Sequence, residues 1–282
     1  MTLELTIALP VKNEETDLLA CLNAIGHDFA KRVVVIDSGS SDATPSIAKE
    51  WGADVVDFAW NGQFPKKRNW FLRNHRPETK WVLFLDADEH LTSAFKEELR
   101  ATLPETEHVG FWLHYTIYFL GRELKHGYPL DKLALFQVGS GEYEKIDEEG
   151  WSKLDMEIHE HPILDGSIGT IRTKIDHRDF RPVHHYIAKH NEYSSWEAKR
   201  YLAREVGSLE AMTLKQKIKY RLVNSPMAGP VYFLGAYVLM RGFLDGSRGF
   251  AFALLKLSYF TQVYCKIQEL KRIPSQSHKQ NT

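Results

Sequence analysis

A doubly wound α/β sheet is the fold that this sequence predicts, and two observations predict it. Through the first hundred residues, short apolar runs rich in β-branched residues alternate with segments of helical periodicity. Each apolar run ends abruptly in a cluster of polar residues, as strands of a parallel sheet do where their loops converge. Leu5 to Pro10 is the first such strand, closed by proline, and Glu15 to Ile25 follows as a helix with Leu18, Leu19, Leu22 and Ile25 on one face. Arg32 to Ile36 (RVVVI) is the second strand. Thr44 to Trp51 is the second helix, with Pro45 at its first position, where a missing N–H costs nothing. Trp81 to Leu85 is the third strand; it stops at Asp86-Ala87-Asp88-Glu89, and Thr92 or Ser93 opens the next helix.

Beyond about residue 105 the pattern weakens. A strand is expected over Gly110 to Tyr118, a hairpin around Gly121 and a long polar loop from Gly139 to Lys153. From Thr213 the texture changes again. That segment carries 11 Lys and Arg against two acidic residues, so the acidic excess lies in the rest of the chain.

Composition narrows the function classes. With 43% hydrophobic and 26% charged residues over 282 positions, the chain is globular rather than disordered. Cys21 and Cys265 stand far apart without metal-ligand spacing, so neither a disulfide framework nor a cysteine zinc site is expected. Met1 to Glu4 lacks the basic and apolar regions of a secretory signal, and a cytoplasmic location is expected. The apolar stretches after Thr213, PMAGPVYFLGAYVLM and FAFALLKLSYFTQVYC, fall short of the about 20 residues that cross a bilayer. Flanked by cations, they fit the membrane interface as amphipathic helices, with core packing as the competing account. No nucleic-acid motif accompanies the basic residues, so nucleic acid is not an expected partner.

In sheets of this kind ligands bind beyond the carboxyl ends of the strands. The residues there are Lys12, Asn13 and Glu14, then Asp37 to Asp42 (DSGSSD), then Asp86 to Glu89. Asp86 and Asp88, one residue apart at a strand end, point the same way and suit a hard divalent cation with its phosphate ligands. His159 and His161, alternating around Glu160, leave a zinc site open as another reading, although their spacing differs from the helical HExxH.

Four segments stand in a telling order: LTIALPVKNEE, VVVIDSGSSDAT, FPKKRN and LFLDADE. Together they resemble glycosyltransferase family 2, over roughly the first 200 residues. The resemblance implies a GT-A fold: a catalytic domain over 1–212, with a nucleotide-sugar half (1–105) and an acceptor half (106–212), and a basic helical membrane-associating extension over 213–282. It implies that Pro10, Asn13 and Glu14 line the nucleoside pocket and that Asp37 accepts hydrogen bonds from the base. Arg68 would contact the diphosphate, Asp86 the ribose or sugar, and Asp88 the Mg2+ or Mn2+ ion. The later clusters EIHEHP and DHRD, with the GFLDG element at Gly242 to Gly246, look like the lipopolysaccharide inner-core β-1,4-glucosyltransferases and exopolysaccharide relatives. By that analogy Glu160 is the general base and His177 a further metal contact. The expected activity is inverting transfer of a hexose from a UDP-sugar to a lipid-linked or lipopolysaccharide-type glycan, on the inner face of the cytoplasmic membrane. A sugar-1-phosphate nucleotidyltransferase is disfavoured, because LPVKNEE lacks a glycine-rich loop. A non-catalytic nucleotide-sugar-binding subunit is the alternative from another class.

Overall fold

A computed structural model describes residues 2–145, 161–205 and 221–272 of the chain. In chain order the first elements are β1 (Leu3–Val11), α1 (Leu18–Ile25), β2 (Ala30–Asp37), α2 (Thr44–Trp51), β3 (Asp54–Asp57), α3 (Lys67–Asn74), β4 (Trp81–Phe84), β5 (Glu89–His90) and α4 (Ser93–Thr102). Then come β6 (Gly110–Tyr115), β7 (Ile117–Phe119), β8 (Arg122–Leu124), β9 (Leu130–Gln137), β10 (Gly141–Tyr143), β11 (Pro162–Leu164), β12 (Ile168–His177) and α5 (Val183–Glu205). The remainder is α6 (Ala228–Leu234), which runs on into a wider π-type turn (Gly235–Leu239), a 3-10 turn (Gly242–Asp245) and α7 (Gly246–Arg272). The residues fall into two compact units, 1–117 with 129–179 and 118–128 with 180–282.

The first unit holds an eight-stranded sheet in the order β3-β2-β1-β4-β9-β6-β12-β5. Strands β1, β2, β3 and β4 pair in parallel, whereas β9 joins both β4 and β6 antiparallel. This is the mixed α/β sheet of a GT-A fold. The side-chain alternation of β1 explains why it lies near the middle. Leu5, Ile7, Leu9 and Val11 enter one core with Leu18 and Leu22 of α1 and Phe95 and Leu99 of α4. Ala8 enters a second core on the opposite face with Val34, Ile36, Phe84, Phe136 and Phe71 of α3. Covered on both faces, the strand has no use for polar alternation, and it reads as a continuous apolar run.

Three expected helices form, two of them where the signals place them. Helix α2 spans Thr44–Trp51 with proline in its first turn. The Thr92 hydroxyl caps α4 by accepting the Phe95 N–H at 3.1 Å. Helix α1 starts at Leu18, three residues later than its apolar spacing suggested, because Glu15 to Asp17 are spent on loop contacts. The hairpin around Gly121 is the β7–β8 ribbon. The strand expected over 110–118 is divided between β6 and β7. Of the polar stretch from Gly139 to Lys153, the described part includes the short strand β10, which pairs with β11.

In the second unit, α5 and α7 share a small core of Ala198, Val223, Tyr259, Val263 and Ile267. Helix α7 is 27 residues long, against the shorter apolar helices that the sequence suggested. Helices α6 and α7 run antiparallel: Tyr232 stacks on Phe260 at 3.5 Å, while Phe233 and Tyr237, further along, meet Phe250. A Cβ at Gly229 would lie 2.7 Å from the Leu257 carbonyl oxygen, so only glycine permits this approach. No helix among the described residues is long and apolar enough to cross a membrane.

Candidate active site

The carboxyl ends of β1, β2 and β4 bring the three polar clusters together. Asn13, after β1, takes a left-handed conformation (φ 55°), which asparagine tolerates better than most residues. The turn lets its N–H donate to Ser40 Oγ (2.8 Å) and its side-chain oxygen accept from the Ser41 N–H (2.9 Å). Next to it the Glu14 N–H donates to Thr44 Oγ1 at 2.8 Å. The loops after β1 and β2 are thereby tied into one wall, and Pro10 is buried at its base opposite Ile36.

Asp37 ends β2 almost fully buried. One carboxylate oxygen accepts the N–H groups of Gly39 (3.1 Å) and Ser40 (3.0 Å), and the other accepts the Ser40 hydroxyl. A carboxylate offers about four acceptor positions, so one remains for a ligand N–H. Asp37 thus shapes its own turn.

The loop after β4 concentrates charge. Asp86 is held between two cations, Arg68 Nη2 at 3.2 Å from one oxygen and Lys132 Nζ at 2.7 Å from the other. Arg68 lies at the start of α3, its guanidinium over the Tyr143 ring at 5.4 Å. Lys132, on β9, also binds Glu89, whose other oxygen accepts the Asp86 N–H at 2.9 Å. Burial favours the neutral Lys132 amine, but Asp86 and Glu89 outweigh it and hold the pKa well above the ordinary lysine value. Glu89 is buried completely, and that desolvation raises its pKa despite the attraction of Lys132. Burial, followed by the acids of this loop, also pushes up the Cys21 thiol, which donates to the Glu89 carbonyl at 3.2 Å.

Asp88 meets residues from far along the chain. Strand β5 pairs with the end of β12, placing His177 opposite Glu89, and the Arg178 N–H donates to the Asp88 carbonyl at 2.7 Å. His177 Nε2 lies 3.6 Å from Asp88 Oδ1. Burial disfavours the imidazolium, yet the hydrogen bond and charge of Asp88 outweigh it and raise the His177 pKa. Asp88, His177 and Asp179 each offer a ligand atom, all within 4.8 Å of one another. Ligands of one octahedral ion stand about 3–4 Å apart, so these donors are gathered nearly closely enough to share one. Two carboxylates favour a hard divalent ion, and an imidazole is a ligand that transition-metal ions accept, so the donor set fits a divalent cation.

Asn13, Glu14 and Asp37 therefore share one wall, Arg68 and Asp86 form one ion pair, and Asp88 stands with His177. Glu160, expected as the base, lies outside the described residues, as does His159 of the zinc reading. Two residues were missed. Lys132 gave no local signal, since both of its acidic partners are over 40 residues away. Asp179 stood in the DHRD cluster, two residues after His177, and that spacing could have marked it.

The sequence model described as Glycosyl transferase family 2 matches residues 6–159. The lipopolysaccharide core biosynthesis glycosyltransferase LpsC of Rhizobium meliloti is 26% identical over 265 residues, which cover 86% of each chain. Among solved structures, the mannosyltransferase PcManGT from Pyrobaculum calidifontis, in complex with GDP-Man and Mn2+, is similar over 96% of this chain and 88% of its own. The TM-score is 0.55 at 16% identity, a likeness that carries the fold alone. Glucosyl-3-phosphoglycerate synthase from Mycobacterium tuberculosis aligns over 42% of this chain and under half of its own, 45%, with a TM-score of 0.32 and 24% identity. A match that partial carries no argument.

Proposed function

The chain belongs to glycosyltransferase family 2, and on that premise we propose that it transfers a hexose, with inversion, from a nucleotide sugar to a lipid-linked or lipopolysaccharide-type glycan. The donor we infer is a UDP-sugar, bound with Mg2+ or Mn2+. The observation that carries this reading is the pairing of two arrangements on one loop: Asp86 between Arg68 and Lys132, and Asp88 beside His177 and Asp179.

Asp88, His177 and Asp179 would hold the ion. When bound, the ion supplies positive charge at the diphosphate as it leaves. Asn13, Glu14 and Asp37 line the nucleoside side, and the remaining acceptor position of Asp37 selects a base that presents an N–H edge. Arg68 exchanges part of its hold on Asp86 for forked contacts to the diphosphate. Lys132 holds Asp86 in place meanwhile, so its carboxylate can hold a ribose or sugar hydroxyl. Glu160 takes the proton of the acceptor hydroxyl as that oxygen attacks the anomeric carbon from the face opposite the nucleotide. The C–O bond to the diphosphate breaks as the new glycosidic bond forms, and no covalent sugar–enzyme species is needed.

The relative LpsC, named for lipopolysaccharide core biosynthesis, supports the acceptor class. The basic segment 213–282 supports action at the cytoplasmic face of a membrane. Release of nucleoside diphosphate from a panel of UDP- and GDP-sugars, with and without Mn2+, tests the proposal. Metal-dependent release with one base, lowered about 100-fold or more by Glu160→Gln at unchanged donor affinity, is the expected outcome. Release that ignores the metal, or a Glu160→Gln variant with full turnover, contradicts it.

A further inference from the structure

Large apolar side chains are exposed very unevenly along this chain. Of the 17 exposed among the described residues, 14 belong to the second unit, and ten of those lie between Met227 and Leu254. Met227, Val231, Leu234 and Val238 recur at helical spacing, so the α6 segment and its π-type turn present one continuous apolar stripe outward. Its opposite face is already filled: Ala228 and Ala236 are buried, and Tyr232 is stacked on Phe260 of α7. The stripe is therefore surplus to the fold. It leads into the corner that joins α6 to α7, where Leu239 is 81% exposed and Phe243 and Leu244 are exposed as well.

The charges around this corner are predominantly positive. Arg241 is exposed within it, and Arg248 reaches the carbonyl of Leu120, bringing the tip of the β7–β8 ribbon, with exposed Arg122, alongside. Of the two acids on this surface, Glu123 is half-exposed beside Arg122, and Asp245 is turned inward. Its carboxylate accepts the N–H groups of Lys125 (3.2 Å) and His126 (2.9 Å) and contacts His126 Nδ1 at 3.2 Å. What faces outward is an apolar wedge rimmed by arginines.

We propose that the α6–α7 corner, together with the β7–β8 tip, is a membrane-docking wedge. It inserts Leu239, Phe243 and Leu244 among the acyl chains of an anionic bilayer while Arg122 and Arg241 bind lipid phosphates. This rests on the membrane reading above and deepens it: the contact surface is a defined corner, partly built from residues 118–128 in the middle of the chain, rather than the basic tail as a whole. Charge complementarity selects the occupant. A second copy of this chain would bring like-charged arginines against one another, whereas an anionic lipid surface neutralises them. Partial burial of side chains in the interface supplies the remainder, and no spanning helix is required.

Co-sedimentation of the full chain with phosphatidylcholine vesicles, with and without phosphatidylglycerol, tests the wedge, alongside light scattering for oligomeric state. The wild type is expected to bind the anionic vesicles roughly tenfold more tightly than neutral ones, and to lose that margin at high salt. The exposed-site double variant Leu239→Ser/Leu244→Ser is expected to lower anionic-vesicle binding at least tenfold, ~1.4 kcal/mol. Arg122→Gln/Arg241→Gln is expected to remove the preference for anionic lipid. Nucleotide binding in solution stays unchanged in both variants, so a failure of the donor-site reading shows up separately. Vesicle binding untouched by the leucine variant overturns the proposal. So does a wild-type dimer that the leucine variant converts to a monomer, which would make the corner a homodimer face.

Discussion

Lys132 is the residue on which the charge balance of the site turns. It faces two acids, Asp86 with 30% of its side chain exposed and Glu89 with 1%. Removing it takes away the cation that touches the buried Glu89 carboxylate. Lys132→Met is expected to destabilise the fold by about 2–4 kcal/mol, between the ~0–1 of a solvent-exposed pair and the ~3–5 of a fully buried one. Urea unfolding at neutral pH measures this, and a loss under ~0.5 kcal/mol would show that Lys132 is not needed to hold the acids. Nothing local in the sequence announces such a residue: LDKLALFQ reads as an ordinary strand, and its lysine acquires meaning only when β9 is laid beside β4. Asp37 was legible for the opposite reason, because its partners Gly39 and Ser40 are two and three residues away. His177 is intermediate: its chemistry stood out in DHRD, but its approach to Asp88 depends on the pairing of β5 with β12.

At the scale of elements, the sheet edge that carries His177 is secured by α4. Glu98 accepts the N–H groups of Arg172 (2.9 Å) and Thr173 (2.8 Å) and the Thr173 hydroxyl (2.6 Å). Burial works to raise the Glu98 pKa, but these hydrogen bonds outweigh it and lower it from the ordinary 4.5. A carboxylate with a depressed folded-state pKa adds stability above its unfolded pKa and loses it as pH falls through the folded value. Glu98→Gln is therefore expected to cost about 1–2 kcal/mol at pH 7. The difference from wild type should shrink as pH drops below about 4.5. Chemical denaturation of both proteins across that range checks it, and a gap that widens toward acid would contradict the assignment. The helices α2 and α4 and the central strands were readable because proline, a threonine cap and unbroken apolar runs are local signals. Helix α7 was harder to read. Lys256 interrupts its apolar stretch, and burial in the helical unit lowers the pKa of that lysine to about 8, a cost visible only after packing.

For the whole molecule, the second unit is not an appendage that can be cut at residue 212. Helix α5 precedes that point, yet its Ala198 packs with Tyr259, Val263 and Ile267 of α7 beyond it. A chain ending at 212 is expected to expose that face and to aggregate on size-exclusion chromatography, which is why membrane docking is better tested with point variants. A monodisperse, fully helical truncation would contradict this. The loop after β4 is proposed above as a metal-dependent site for a nucleoside diphosphate. Calorimetric titration of UDP and GDP into the full chain, with and without Mn2+, tests that claim most directly when paired with Asp88→Ala. Tight binding of UDP that requires Mn2+ and is lost, by tenfold or more, in Asp88→Ala is the expected result. Binding of neither nucleotide with Mn2+, or binding indifferent to both the ion and Asp88, would contradict it.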